Sequence, residues 1–469
     1  MSARPAPDRP SRRPIFGVWA AMAVANTGTR VSAVALPWFV LATTDSAALT
    51  GLVAFCELTP YVAVKALSGP LVDRIGPRRV SLSTDVVSAL SAACLAALSA
   101  LGLLHFGLLL ALVALIGAAR GPGDLAKDVL IPEAARRSGV ALERATGVGG
   151  VIENGAQTVG PGLGGALIAV SGPMTGVLVN AAAFALGSVL ITVFVPRGDP
   201  DGAAPDDTHD PERPGYWRSM GDGFRWLRGN PLVLSVLLVV GLSNLLGAGW
   251  SSVLLPVWAR SGHGGPAAVG LLGTVLGASA VCGSLVAAAI AERLPRRWVF
   301  LVGFVLAGAP RFVVLATGAP LWGAAVVVAV GGFGAGFLNP ITSAVIFERI
   351  PRALLGRVVA TGDSLAWAGI PAGVALAGVL VGAAGLVPVL LGAGVLSFGA
   401  TVLPFLRPEW KQLDRARPAA PPGPETGARS GPETRRASPE DAAREDTARP
   451  ASGQGAVTAG GSSASSART

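Results

Sequence analysis

Ionisable side chains that interrupt long apolar runs are the residues of this sequence best suited to chemistry. The candidates for proton coupling lie well inside apolar stretches of the first half of the chain: Arg30, Glu57, Asp85, Arg120, Asp124 and Glu153. A charge at the centre of a bilayer costs about 2.5–3.5 kcal/mol, so such residues are usually paired or face a water-filled cavity. Because desolvation favours the neutral form of a carboxylate, a carboxylate in a partly dry cavity is suited to taking up and releasing a proton.

Glu57 is the first candidate for the proton carrier and Glu153 the second. Arg30 and Arg120 would set the local electric field. Depth along the apolar runs suggests three ion pairs: Arg30 with Glu57, Arg120 with Glu153, and Lys65 with Asp85. The alternative is that these acids form permanent ion pairs that only hold the protein together. In the second half of the chain, the apolar runs contain only two charges, Arg311 and Asp363.

The second half offers aromatic and amide side chains instead. Candidates for lining a substrate cavity are Asn244, Trp250, Phe333, Phe337, Asn339 and Trp367. An aromatic, weakly polar wall opposite a charged one suits an amphiphilic small molecule. The alternative is that these aromatic residues pack between helices or face lipid.

Composition excludes several classes of protein. The chain has 469 residues, of which 51% are hydrophobic and only 14% charged, whereas soluble domains carry about 25% charge. The net charge of +9 is spread over short loops, which argues against a nucleic-acid surface. Cys56, Cys94 and Cys282 lie inside apolar runs and form neither a disulfide framework nor a metal-binding spacing. A Walker A loop is missing, and no histidine follows the esterase-like letters at 362–365, so we predict neither an enzyme nor a cofactor.

Apolar stretches of about 20 residues recur along the chain and predict a membrane protein with many spans. Twelve spans are predicted near 15–41, 47–69, 80–102, 104–131, 143–170, 173–195, 231–259, 267–290, 298–317, 319–346, 358–382 and 385–405. The predicted organisation is a disordered tail (1–14), a six-helix bundle (15–195), a linker (196–230), a second six-helix bundle (231–406) and a disordered tail (407–469). Within the linker, residues 215–229 show helical spacing of apolar residues and predict an amphipathic helix at the membrane surface or an ordinary linker helix.

The two halves repeat at an offset of 219 residues. This offset aligns Gly28 with Gly247, Leu36-Pro37 with Leu255-Pro256, Gly51-Leu52 with Gly270-Leu271, and Asp73-Arg74 with Glu292-Arg293. Parallel repeats of six spans are typical of two-lobed transporters, in which substrate binds near the midplane between the lobes. The fold class predicted is an all-α membrane protein with 12 transmembrane helices in two pseudo-symmetric bundles.

Arginines determine the predicted orientation. They cluster in loops on one side of the predicted membrane, between spans 2 and 3, 4 and 5, 8 and 9, and 10 and 11, whereas the opposite side shows Arg260 and little else. The positive-inside rule therefore places both termini and the linker in the cytoplasm. The predicted location is the cell membrane.

Two motifs carry a family resemblance. The connection between spans 2 and 3 contains Gly69, Asp73, Arg74, Gly76, Arg78 and Arg79. It resembles the signature loop of the major facilitator superfamily, and a degenerate copy occupies 292–297. Span 5 contains Gly155, Gly160, Pro161, Gly164 and Gly165, similar to the motif of drug/proton antiporters. The segments at 130–133 and 222–227 look like the macrolide-efflux and enterobactin-exporter branch.

The resemblance implies alternating access and proton exchange for an amphiphilic substrate. It also implies that Asp73 caps the helix beginning near Val358, while Arg74 pairs with an acid such as Asp128; the alternative is a plain solvated turn. We predict an exporter of drugs or antibiotics that acts as a monomer on small molecules and protons in a lipid bilayer. A siderophore or self-made metabolite is an alternative substrate, and a transport-inactive sensor is an alternative function.

Overall fold

Helices make up almost all of the described chain. The computed structural model describes residues 11–196, 216–290, 293–351 and 354–413, so most of both predicted tails, much of the linker and Glu292 lie outside the described residues. The α-helices are α1 (Arg13–Thr44), α2 (Ala47–Leu67), α3 (Gly69–Ile75), α4 (Pro77–Ala100), α5 (Phe106–Ser138), α6 (Leu142–Ser171), α7 (Pro173–Phe194), α8 (Tyr216–Arg228), α9 (Pro231–Gly249), α10 (Leu255–Arg260), α11 (Gly265–Ile290), α12 (Arg296–Ala307), α13 (Ala309–Ala316), α14 (Leu321–Arg349), α15 (Leu355–Ala384) and α16 (Leu386–Phe405). A π-helical turn (Trp250–Leu254) joins α9 to α10, and a 3-10 helix (Pro408–Leu413) follows α16.

Proline and glycine mark many of the helix boundaries. Pro173 and Pro231 open α7 and α9, where the missing backbone N–H of proline leaves no hydrogen bond unmade. Gly172 and Gly385, with φ of 82° and 83°, end α6 and α15. This backbone conformation favours glycine because it has no Cβ. The resulting connections are short, so consecutive long helices run back across the bundle.

The long helices are suited to crossing a bilayer. Among the described residues, ten helical segments have the length and hydropathy of a membrane span. α1 and α6, which contain more polar residues and glycine, are 32 and 30 residues long, and a span needs about 20. The predicted all-α membrane fold is confirmed, and the helices agree with twelve predicted spans.

The connection between the second and third spans differs from the predicted tight loop. Residues Gly69–Ile75 form the short helix α3, and α4 begins at Pro77. Only Gly76, with φ of 91°, interrupts the helical path. The predicted loop was wrong because Pro70 and Pro77 both occupy first turns of helices, positions where proline favours helix initiation.

The linker helix α8 packs against the second half of the chain. Leu227 is fully buried in a cluster with Val233, Leu237 and Val358. Asp222 accepts from Arg225 on its own helix and also lies 3.5 Å from the Arg357 guanidinium on α15. The predicted surface helix therefore docks on the second half of the chain. The side chains of residues 216–220, in the first part of the predicted amphipathic helix, lie outside the described ones.

Packing follows the repeat within each half. In the first half α1 packs on α6 and α7, α2 on α5, and α4 on α5 and α7; in the second, α9 packs on α15, α11 and α12 on α14, and α13 on α16. In each half, a glycine lets the corresponding pair of helices approach closely. A Cβ added to Gly160 of α6 would lie 2.4 Å from the Arg30 Cβ of α1, and one added to Gly373 of α15 would lie 2.1 Å from the Leu245 oxygen of α9.

The halves are held together at one end of the bundle, called here the closed end, which carries Asp45 and Arg260. α6 crosses α11 where Gly165 meets Gly270, and α2 crosses α15 where Gly51 meets Gly378. Small residues allow this backbone-to-backbone approach. A single cluster of buried apolar side chains at this end draws members from both halves.

The halves separate at the other end, called here the open end, which carries Asp73. The buried apolar clusters there belong to one half each. Along the facing sides of α6 and α11, the contact reaches Thr158 and Gly277. One or two turns further on, Val151 and Val281 are 72% and 36% exposed. A cleft between the halves therefore opens at this end.

Candidate functional site

A network of charged side chains lies in the first half, on the wall of the cleft. The Arg120 guanidinium on α5 lies 3.2 Å from Glu57 Oε1 on α2 and 3.7 Å from Asp124 Oδ2 one turn along its own helix. The Tyr61 hydroxyl donates to Asp124 Oδ2 at 3.3 Å, and its ring centre is 4.1 Å from the Arg120 guanidinium carbon. The exposed fractions of the Glu57 and Arg120 side chains are both 13%, so the network is largely shielded from solvent.

Glycines on α5 position this network. A Cβ added at Gly117 would lie 2.0 Å from the Glu57 carbonyl oxygen, and one added at Gly121 would lie 2.8 Å from the Tyr61 carbonyl oxygen. These two positions are one turn apart on α5, so the backbone of α2 lies directly against that helix. Glu57 is thereby held opposite Arg120, rather than opposite Arg30 as predicted from depth.

Asp85 has a different partner from the predicted one. Its carboxylate lies 2.6 Å from the Lys127 ammonium, not from Lys65, and both side chains are at most 4% exposed between α4 and α5. Phe184 of α7 covers the ammonium, with its ring centre 6.0 Å away. The pair is buried in the packing of the first half, so the predicted pairing of Asp85 with Lys65 is wrong.

Arg30 and Glu153 interact electrostatically with each other but do not form the predicted pairs with Glu57 and Arg120. Neither has an ion-pair partner among the described residues, and Glu153 has only a contact of 3.5 Å with the Gln157 amide. Glu153 lies within electrostatic reach of Arg30 and Asp128. Its carboxylate therefore lies on the protein side of α6 and not with the exposed apolar residues Val159 and Leu163.

The signature residues near α3 lie at the open end. Asp73 and Arg74 are exposed and form no ion pair or hydrogen bond within the described part of the chain. The predicted cap on α15 and the predicted Arg74–Asp128 pair are therefore not formed in this conformation, because the halves are apart at this end. Arg78 donates instead to the Val195 and Thr192 carbonyls at the end of α7.

The glycine motif of α6 packs on two neighbours. Gly160 and Gly164 face α1, whereas Pro161 and Gly165 face α11, and a Cβ at Gly155 would have nothing within 4 Å. The motif therefore sets the crossing of α6 with both helices.

The predicted aromatic wall is only partly in the cleft. Trp250 is 2% exposed and lies in the core shared by the halves. Phe333 continues a stripe of exposed apolar residues with Val326 and Val330 on α14, spaced to share one helix face. Phe337 is only 9% exposed, and its ring lies 5.5 Å from that of Phe333. These three aromatics are therefore not cleft residues in this conformation.

Other members of that set lie differently. Asn244 donates to the Ala366 carbonyl at 3.0 Å and so ties α9 to α15. Asn339 is exposed near the open end. Trp367 is 43% exposed, and the Lys65 ammonium lies 5.7 Å from its ring centre. Trp367 is thus the aromatic residue of the predicted set that faces the charged wall.

Two features were not predicted. Tyr61 links Asp124 and Lys65 through its hydroxyl. Its position on α2, four residues from both Glu57 and Lys65, could have indicated from the sequence that the three side chains share one helix face. Arg260 lies 3.1 Å from Asp45 and donates to the Leu41 carbonyl, so it joins the halves at the closed end. Its isolation on the arginine-poor side was visible in the sequence, but its partner was not.

Comparison with known proteins identifies the family. The profile of the family described as transmembrane secretion effector matches residues 6–431. The chain belongs to this family of the major facilitator superfamily. It is 34% identical over 417 residues to the multidrug efflux pump Tap of Mycobacterium tuberculosis, covering 87% of this chain and 96% of that protein. It is 31% identical over 412 residues to Tap of Mycolicibacterium fortuitum, covering 86% and 98%. These family members are transporters, not enzymes.

Solved structures of other transporters share the fold. The nucleoside transporter NupG superposes with a TM-score of 0.66 at 13% identity, covering 86% of this chain and 100% of that chain. A POT family transporter bound to 5-aminolevulinic acid gives 0.65 at 10% identity, covering 84% and 95%. The described chain therefore has the major facilitator fold. Within it, the cleft wall of this family member combines carboxylates, arginines and a tryptophan, an arrangement able to bind an organic cation and to exchange protons.

Proposed function

We propose that this protein exports small amphiphilic molecules, such as drugs or antibiotics, by proton antiport and alternating access. The observation that carries the proposal is the Glu57–Arg120–Asp124 network on the wall of a cleft open at one end. The names of the relatives support drug efflux. They favour it over export of a siderophore or a self-made metabolite, and over a transport-inactive sensor.

Charge distribution supports the direction of transport. The open end carries Arg74, Arg78 and Arg79, together with the arginines at the end of α5 and the start of α6. By the positive-inside rule, this end is cytoplasmic and both termini lie in the cytoplasm. The described conformation is then inward-facing, ready to receive substrate from the cell interior. Residues 15–195 and 231–406 act as the two moving bundles, which meet at the closed end.

Proton coupling is proposed to use Glu57, with Glu153 as the second carrier. In the inward-facing form Glu57 is paired with Arg120, so a proton on Glu57 would compete with the arginine for the same carboxylate. A cationic substrate entering the network competes with that proton in turn. Glu153 has no ion-pair partner in the described structure and is open to the cleft, so it is placed to pass protons toward the open end.

Uptake of ethidium into everted membrane vesicles tests this function. We expect energised vesicles to accumulate ethidium, a protonophore to abolish accumulation, and Glu57→Gln to reduce it at least about tenfold, within the range for a lost proton-transfer group. Glu133→Gln is the matched control, since Glu133 pairs with Arg137 on the exposed surface of α5. Normal ethidium accumulation by well-expressed Glu57→Gln protein would refute the role of Glu57. Accumulation unaffected by the protonophore would refute proton antiport.

A further inference from the structure

We propose that Asp363 and Trp367 on α15 form a subsite for an organic cation, and that Lys65 of α2 occupies it when substrate is absent. The inference rests on the proposed export of amphiphilic molecules and names the chemical class that this wall of the cleft binds. It also gives a role to a carboxylate of the second half that has no place in the proton network.

The two residues share one face of α15. They are four positions apart, so they lie one above the other, and both side chains are exposed. The exposed apolar residue Val379 is sixteen positions after Asp363, which at about 100° per residue points it to the opposite side of the helix. Asp363 and Trp367 therefore face the cleft, while Val379 faces lipid.

The Lys65 ammonium already lies against the ring of Trp367. Its ammonium lies 5.7 Å from the centre of the Trp367 ring, across the gap between the halves. This is within the roughly 6 Å over which an aromatic face attracts a cation. The same ammonium is 3.4 Å from the Tyr61 hydroxyl on its own helix. Trp367 thus already presents its ring to a positive charge supplied by the opposite half.

Asp363 supplies the negative charge that balances a bound cation, which the neutral indole ring of Trp367 lacks. Its carboxylate has no ion pair or hydrogen bond among the described residues. It lies one turn from Trp367 toward the open end, so a cation that enters there passes the carboxylate before it meets the ring. A monocation with aromatic or aliphatic substituents fits both groups, because its charge is balanced by one carboxylate and its apolar part stacks on the indole.

Displacement of Lys65 follows from this geometry. A cation on Trp367 repels the lysine, which has other anionic neighbours on its own half, since it lies within the fields of Asp124 and Asp128. Binding would thereby exchange a contact that bridges the halves for contacts confined to the first half. The bound cation then bridges the halves in place of the lysine.

Equilibrium binding of radiolabelled tetraphenylphosphonium to the purified full-length protein tests the subsite. We expect Asp363→Asn and Trp367→Leu each to raise Kd about threefold to tenfold, Trp367→Phe to retain most of the affinity, and Lys65→Met to lower Kd. Glu143→Gln is the control for an exposed carboxylate outside the cleft, and Arg136→Gln, at the exposed end of α5, is the control for a general loss of positive charge. Size-exclusion profiles identify any variant that fails to fold.

The outcomes separate the subsite from the transport mechanism. Unchanged Kd in Asp363→Asn and Trp367→Leu would overturn the subsite, and so would a Kd lowered as much by Arg136→Gln as by Lys65→Met. Because binding is measured at fixed pH without a gradient, it does not require a transport cycle. Failure of the Glu57→Gln prediction alongside the expected binding changes would refute the role of Glu57 and leave the subsite standing.

Discussion

Replacing Gly165 with alanine tests the contact that closes one end of the cleft. A Cβ at this position would lie 2.5 Å from the Pro266 oxygen and 2.7 Å from the Gly270 Cα. Both neighbours are backbone atoms of α11, so they cannot rotate away as a side chain would. To restore ordinary contact at about 3.5 Å, the helices must separate by roughly 0.8–1 Å at the crossing.

The cost of this separation sets the size of the effect. Overpacking typically costs about 1–3 kcal/mol, which is a shift of roughly 5- to 150-fold away from the conformation that contains the contact. Gly155→Ala provides the matched control on the same helix, because a Cβ there meets nothing within 4 Å. Alanine also raises helix propensity by up to about 1 kcal/mol at both positions, so the control corrects for this gain.

Spin labels at Thr43 and Ser261, on opposite halves at the closed end, measure the outcome. In a background with the native cysteines replaced by alanine, we expect Gly165→Ala to lengthen or broaden the distance distribution obtained by electron double resonance. Gly155→Ala should leave that distribution unchanged. If both variants give the same distribution and the same thermal stability, the glycine crossing does not hold the closed end.

Three further predictions concern ion pairs. Asp45→Asn removes a half-exposed pair at the closed end worth at most about 1 kcal/mol, so the same spin labels should show up to about fivefold more of the separated form. Asp85→Asn leaves the buried Lys127 unpaired and should cost about 3–5 kcal/mol, seen as a large fall in thermal stability in detergent; the double variant with Lys127→Met should recover much of it, and a fully stable single variant would contradict the buried pair. Hydrogen bonds from Arg296 lower the pKa of Glu348 below its ordinary value, so the pair stabilises the folded protein above the unfolded-state pKa and loses that contribution as pH falls through the folded-state pKa. Thermal unfolding of Glu348→Gln should therefore differ from that of the parent protein near neutral pH and converge with it in acid, and a constant difference across this range would refute the link.

The sequence was most informative where hydrophobicity alone decides the structure. The all-α membrane fold followed from the spacing of apolar runs, because a helix must satisfy its own backbone hydrogen bonds in lipid. The short helix α3 was missed because two prolines in eleven residues resemble a turn, although each of them can equally well begin a helix.

Pairing of charges was harder to predict, since depth along a helix says nothing about rotation around it. Glu57 was expected to meet Arg30, but Gly117 and Gly121 bring α2 against α5, and this contact turns Glu57 toward Arg120. The same limit applied to Phe333, whose neighbours on α14 show that it belongs to an outward stripe. Valines three and seven residues before Phe333 share its helix face and were visible in the sequence, and this spacing would have indicated the stripe.

The π-helical turn at Trp250–Leu254 has a consequence for how the closed end separates. An extra residue in one turn rotates everything beyond it by about 100°, so α10 leaves the membrane in a different phase from α1, its counterpart in the repeat. Arg260 therefore reaches across to the Leu41 carbonyl, whereas the residue aligned with Arg260 at the 219-residue offset is Leu41 itself, which has no charged group to return the contact. Among the described residues, the Arg260 contact at the closed end therefore has no copy related by the pseudo-twofold axis. We expect the closed end to separate first on the side that lacks this contact.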